Sequence, residues 1–351
     1  MTRAARAANA DVSTDPFAER RRAAQRATLQ LLGGRFTFES DSAELMRLVD
    51  WSYAGLPRHT LSLPAPHLAV RLVLGEAPVS RRRDEPEPLV TSSGAGMLCG
   101  ATSGSNIATV CPAQRTALVV VARELLRFPY HVRYELIEFA VFTLAARTQG
   151  LVPLHAACVG SGGRGLLLLG ASGAGKSTAV LHCALAGLEV VSEDSLFVTP
   201  DTLLVTGVAN FLHIRRESLR FVPEREAAAL ARSPTIRRRS GVEKLEIDLR
   251  QPRFRLAPRP LELAGVVELH PQRAAAGASA TALESRQLLE RLRDSQPYAA
   301  HLPGWQVFSR AVGRLPAFEL RRGRHPEETV AALRRLLHDI PRGRRRQARS
   351  R

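Results

Sequence analysis

The spacing of apolar residues changes character several times along the chain. Residues 1–28 show no sustained apolar period; they are Arg- and Ala-rich with Asp11, Asp15 and Glu19 among them, and read as a flexible basic leader. Side chains alternate over 35–39, which predicts a strand. Ser40-Asp41 can cap a helix over 42–53, with Leu45, Leu48, Val49 and Ser52 on one face and Gly55 and Pro57 behind it. Alternation returns at 68–74, and the charged, Pro-containing stretch 80–88 reads as a loop. Short β-like runs broken by Gly and Ser fill 89–121. Helical spacing follows at 122–127 and 132–146, with Gly150 as the expected C-cap. Residues 29–150 therefore form an α+β unit without a catalytic motif; substrate recruitment or dimerisation is its functional alternative, without direct support in the sequence. Its His67 and His131 stand alone and are expected to be packed or on the surface.

From residue 151 the runs become shorter and more apolar. The runs 154–159 and 166–170 flank Gly160-Ser161-Gly162-Gly163-Arg164-Gly165, a sequence suited to a hairpin, so the second strand should run antiparallel to the first. That strand enters Gly170-Ala171-Ser172-Gly173-Ala174-Gly175-Lys176-Ser177, a complete G-x-x-x-x-G-K-[ST] loop. Glycines let the backbone turn and aim N–H groups at phosphate oxygens, and the N-terminus of a helix expected over 179–186 faces the same anion. Lys176 supplies a point charge, and the Ser177 hydroxyl is the expected Mg²⁺ ligand. Gly187 caps the helix. A buried strand over 188–192 then ends in Glu193-Asp194, two carboxylates expected level with the loop. Beyond lie a hairpin (196–199 and 203–206), strands at 209–214, 246–249, 261–269 and 317–320, and helices at 285–293 and 327–340. No internal repeat is visible. These elements predict an α/β fold, with the α+β unit followed by a mixed-sheet P-loop domain over 151–340 and a basic tail over 341–351.

Composition narrows the function classes. The chain has 351 residues, 45% of them hydrophobic, enough for two globular units. The longest apolar run, near 137–146, is too short to span a bilayer. No hydrophobic segment follows the N-terminus, and the four cysteines lack C-x-x-C spacing. A cytoplasmic protein with buried, reduced thiols is the expectation. The net charge is +17, much of it at the chain ends, but only 5% of residues are aromatic. No aromatic–basic platform for stacking bases appears, so dedicated nucleic-acid binding is not expected. Of 50 Lys plus Arg only two are lysines, Lys176 and Lys244. A chain that nearly always chooses Arg keeps Lys where a compact ammonium is needed.

At His155, the phosphate loop and Glu193-Asp194 together, the sequence resembles the catalytic domain of HPr kinase/phosphorylase and its relatives. That group shares a fold with the ATP-dependent phosphoenolpyruvate carboxykinases. The segments that carry the resemblance are LHAACV, GSGGRG, LLLLGASGAGKST and EVVSED. LAGVVELH and LPAFELRRG resemble later parts of small HPr-kinase-like proteins encoded beside peptide-modification enzymes. The resemblance implies that residues 170–178, ending in Thr178, hold the outer phosphates of ATP, and that Ser177 holds Mg²⁺. One of Glu193 and Asp194 would be the base and the other a Mg²⁺ ligand, with Glu193 favoured as base. His155 would sit beside the phosphates; from the residues alone, a plain core histidine is an equal alternative. The family carries Asp-Asp where this chain has Glu193-Asp194, and its HPr-recognition signature is not evident here. Oligomerisation follows from the resemblance by analogy only.

The expected activity is transfer of the ATP γ-phosphate to a hydroxyl, first a serine of a peptide or protein. A small-metabolite kinase, a nucleotide-gated binding protein and a basic RNA-associated ATPase are the alternatives. A further cation over the γ-phosphate is expected from Arg215, Arg216, Arg237 to Arg239 or Lys244, with Lys244 favoured.

Overall fold

The computed structural model describes residues 24–75, 86–103 and 105–341. Most of the expected leader, part of the 80–88 loop and all but the first residue of the expected tail lie outside the described residues. The fold is α/β, with parallel and antiparallel strand pairs mixed in its sheets.

A seven-stranded sheet makes the first unit. Its order is Gln25–Leu31, Gly34–Ser40, His67–Gly75, Thr116–Ala122, Asn106–Cys111, Met97–Ser103, Val90–Gly94. The first strand corrects the leader's boundary. Ala27, Leu29 and Leu31 alternate with Arg26, Thr28 and Gln30, and Gln25–Leu31 pairs along its whole length with Gly34–Ser40. One face is apolar: Phe36, Phe38, Leu68, Val70, Val119 and Val121 pack under the helices Ala43–Tyr53 and Glu138–Gln149. Ser42, not Ser40-Asp41, caps the first helix, its hydroxyl accepting from the Leu45 N–H. Gly150 ends the second at φ 63°, in keeping with its position. Between Pro129–His131 and that helix lies a π-helical turn, Val132–Ile137.

The second unit is layered. The run 154–159 divides at Ala156 into Val152–His155 and Ala157–Ser161, which lie far apart in one sheet. Ala157–Ser161 and Arg164–Leu169 form the antiparallel hairpin expected from the glycines. Arg164–Leu169 then pairs in parallel with Leu261–Arg273, which in turn pairs in parallel with Ala317–Arg322. Alternation sends Leu166 and Leu168 to one face, against Val180, Cys183 and Leu333 of the helices Lys176–Leu185 and Pro326–Asp339. Leu167 and Leu169 go to the other, against Leu288, Leu292 and Phe308 of Ser285–Ser295 and Trp305–Val312. Burial on both faces explains why the run is apolar at every position. A small sheet of Phe211–Ile214, Glu243–Asp248 and Thr235–Arg237 stands at the junction with the first unit. Among the described residues no helix is long and apolar enough to cross a membrane.

Candidate active site

Strand, loop and helix take the order the motif requires: Arg164–Leu169, then the turn, then Lys176–Leu185. Gly170, Gly173 and Gly175 hold φ of 148°, 83° and 96°, values that side chains oppose. At Gly175 a Cβ would also meet the Arg322 guanidinium at 2.6 Å. The helix begins at Gly175 without a side-chain cap, so its first N–H groups face the loop's hollow. Lys176 is buried to 9% exposure and its Nζ donates to the Gly170 carbonyl at 3.3 Å. The loop, Ala171, Ser172, Lys176, Ser177 and Thr178 included, lines a cleft of about 330 Å³. Both lysines of the chain, Lys176 and Lys244, line it.

Backbone pairing brings the two acids there. Glu189–Ser192 pairs with one strand of the glycine hairpin, while Ser195–Val198 pairs with Val152–His155. Glu193-Asp194 is the crossing between them, at the edge of the sheet where the phosphate loop also emerges. Their surroundings differ. The Ser177 hydroxyl donates to Glu193 Oε1. Burial pushes the Glu193 carboxyl up and Asp194's charge adds to this, only partly offset by Ser177, His213 and Lys244. Burial acts on Asp194 in the same direction, but the His155 hydrogen bond and the charges of His155, Arg238 and Lys176 outweigh it and hold it down to about 2. His155 Nδ1 lies 3.0 Å from Asp194 Oδ1 with its side chain 65% exposed, so it is a cleft residue and not a core histidine. The backbone of His155 is clamped from behind: its N–H donates to Gln296 Oε1 at 2.7 Å, and Gln296 Nε2 donates to its carbonyl at 3.2 Å.

The expected cations separate. Lys244 and Arg215 line the cleft, and burial with Arg238 nearby lowers the Lys244 ammonium. Arg216 and Arg237 are exposed, and Arg239 is tied to Glu135. Arg238 enters the cleft with Nη2 3.9 Å from Asp194 Oδ2 and a buried Nε that has no partner among the described residues. Arg322 is a residue that the sequence does not single out. It ends Ala317–Arg322, leans over Gly175 and donates from Nη2 to the Pro271 carbonyl at 2.8 Å; its buried Nε also lacks a partner among the described residues. The signal that could have found it is its position at the C-terminal end of a strand parallel to the one that feeds the loop.

Beyond Thr178, whose hydroxyl lies 3.3 Å from that of Ser218, a second hollow of about 300 Å³ continues from the loop. Arg220 lies 4.6 Å over the Phe221 ring, and the His325 ring meets Phe221 edge-on at 5.6 Å.

Ser177 and the two carboxylates form an oxygen-only donor set, the chemistry a hard divalent cation prefers. Among the described residues no three His, Cys, Asp or Glu side chains converge as a metal cage. Mg²⁺ takes one or two protein oxygens together with substrate phosphates and water. His67 is exposed, its Nε2 meeting the Thr37 hydroxyl, and His131 is buried, its Nδ1 meeting Glu135, as expected of a surface and a packed histidine. Compared with known proteins, the chain matches no family model and no curated protein.

Proposed function

We propose that the chain is an ATP- and Mg²⁺-dependent phosphotransferase acting on a hydroxyl, with a serine of a peptide or protein as the first candidate acceptor. The observation that carries this is the meeting, in one cleft, of the Lys176-Ser177 loop with Glu193 and Asp194. Phosphoryl transfer asks mainly for charge neutralisation and in-line placement, and these groups supply both. Lys176 and the loop N–H groups receive the outer phosphates, with Arg322 and Arg238, which line the same cleft, as the further cations. The phosphates' α end and the nucleoside extend past Thr178 toward Phe221 and His325.

The two acids take different parts. Glu193, held by the Ser177 hydroxyl, is the one placed to share a cation with Ser177. A bound Mg²⁺ would neutralise phosphate charge there. Asp194, turned toward His155, is placed to orient the acceptor hydroxyl and receive its proton. This exchanges the roles that the family resemblance favoured. The resemblance to HPr-kinase-like proteins adds support from LHAACV, the loop and the paired acids, and a cytoplasmic setting goes with it. The test is Asp194→Asn: ATP should still bind while transfer is lost.

A further inference from the structure

A second cleft, of about 430 Å³, opens on the other side of the paired acids. It shares Glu193, Asp194, His213, Arg238 and Ser240 with the phosphate cleft, so the two meet at the acids. Its opposite wall belongs to the first unit. Tyr130, Tyr134, Glu135, Glu138 and Phe142 line it, from Pro129–His131, the π-helical turn and the helix that follows. π-Helical turns are rare and often mark functional sites.

The charged groups facing this cleft are nearly all engaged. Glu135 receives His131 at 2.9 Å and Arg239. Glu193 receives Ser177, and Asp194 receives His155 with Arg238 at 3.9 Å. His213 lies 3.5 Å from Glu246. Glu138 differs: it makes no hydrogen bond or ion pair among the described residues, although the charges of Arg133, Asp194 and Glu246 act on it. Beside it the Tyr130 and Tyr134 rings form a tilted pair 4.7 Å apart, with Arg133 already over the Tyr134 ring at 4.8 Å, which leaves Tyr130 as the aromatic neighbour for a further cation.

We infer that this cleft seats the acceptor, and that Glu138 with Tyr130 beside it receives a cationic side chain, Lys or Arg, close in sequence to the hydroxyl that is phosphorylated. This rests on the phosphotransferase reading above. A carboxyl without a hydrogen-bonding partner in a half-buried cleft, the neighbouring cations being engaged elsewhere, is matched by a further cation, which gains a charge-assisted hydrogen bond and an aromatic neighbour together. Burial raises the Glu138 carboxyl, with Asp194 and Glu246 adding to it against Arg133, and a seated cation favours its charged form. The first unit then supplies half of the acceptor site.

The experiment uses fluorescent serine peptides with Lys, norleucine or Glu placed in turn at each position flanking the serine. Binding to the full chain is read by anisotropy with Mg²⁺ and a non-hydrolysable ATP analogue. The Lys set should bind about tenfold more tightly than the Glu set, the scale of one charge-assisted contact. Glu138→Gln should erase the difference and Glu138→Lys should reverse it, a gain that a misfolded variant cannot produce. Equal binding of all sets, or a bias that survives Glu138→Gln, overturns the inference. Transfer from ATP is scored separately. A Lys bias without transfer leaves the cation site standing and contradicts the phosphotransferase reading; transfer without bias does the reverse.

Discussion

The two neighbouring carboxylates are held differently, and their side-chain contacts say why. Glu193 is buried against Ser177, while Asp194 faces the cleft with His155 on one oxygen and Arg238 near the other. A longer arm on the first acid lets it reach back to the loop; an aspartate there would stop one bond short. Arg322 is the second consequence at this scale. Its guanidinium lies over Gly175, with one buried nitrogen unengaged among the described residues. Arg322→Gln removes a charged donor from the proposed phosphate site and should weaken ATP binding by about ten- to hundredfold, the ~1.5–3 kcal/mol of a charge-assisted hydrogen bond. Calorimetric titration with Mg-ATP checks this. An unchanged Kd would remove Arg322 from the site.

Among the elements, the π-helical turn and the small sheet at the junction carry the most. Arg133, within that turn, is 1% exposed and lies between the Trp51 ring at 4.0 Å and the Phe211 ring at 4.7 Å. Its guanidinium donates to both carboxylate oxygens of Glu246, at 3.2 and 3.3 Å, and the Tyr134 hydroxyl donates to Glu246 as well. Arg133→Ala leaves Glu246 buried with its main counter-charge gone and should cost about 3–5 kcal/mol. Denaturant unfolding measures it, and Arg133→Lys should restore only part, since an ammonium cannot reproduce the planar fork. None of this is legible in the sequence, because residues 133, 246 and 51 are far apart and nothing local pairs them. The phosphate loop, its helix and the paired acids are legible because their chemistry needs fixed short spacings. The strand Gln25–Leu31 does alternate, but the Arg- and Ala-rich residues before it hide where the pattern begins. For His155 the sequence leaves cleft and core equally open. Its contact with Asp194 comes from strand pairing, Ser195 opposite His155, which a sequence does not display.

The whole molecule is joined across its two units by polar contacts as well as by the Phe142–Phe197 ring pair at 5.1 Å. Arg250, paired with Asp248, donates to the Trp51 and Ala54 carbonyls, each at 2.9 Å. His59 reaches from the first unit into the second. Its Nε2 donates to the Ala257 carbonyl at 2.9 Å, which leaves Nδ1 to accept from the Thr206 hydroxyl at 2.8 Å. Burial lowers the His59 imidazole, against the Ala257 hydrogen bond, so the folded chain holds it neutral. The unfolded chain takes up that proton below its ordinary value of about 6.5. Stability from this site is therefore complete above about pH 6.5 and is lost as the pH falls toward the lowered folded value. The melting temperature should drop between pH 7 and 5, and His59→Gln should flatten that drop while lowering the value at pH 8. An equal slope in both proteins would exclude His59 as the cause. Because the cleft proposed for the acceptor is walled by both units, this junction also bears on the proposed chemistry. The most direct measurement is incubation of the full chain with γ-labelled ATP and Mg²⁺ in a host-cell lysate, beside the Asp194→Asn variant, with ATP binding measured for both. A labelled acceptor in the first reaction and none in the second, with equal ATP binding, is the expected result. ATP bound by both and no labelled product from either would contradict phosphoryl transfer.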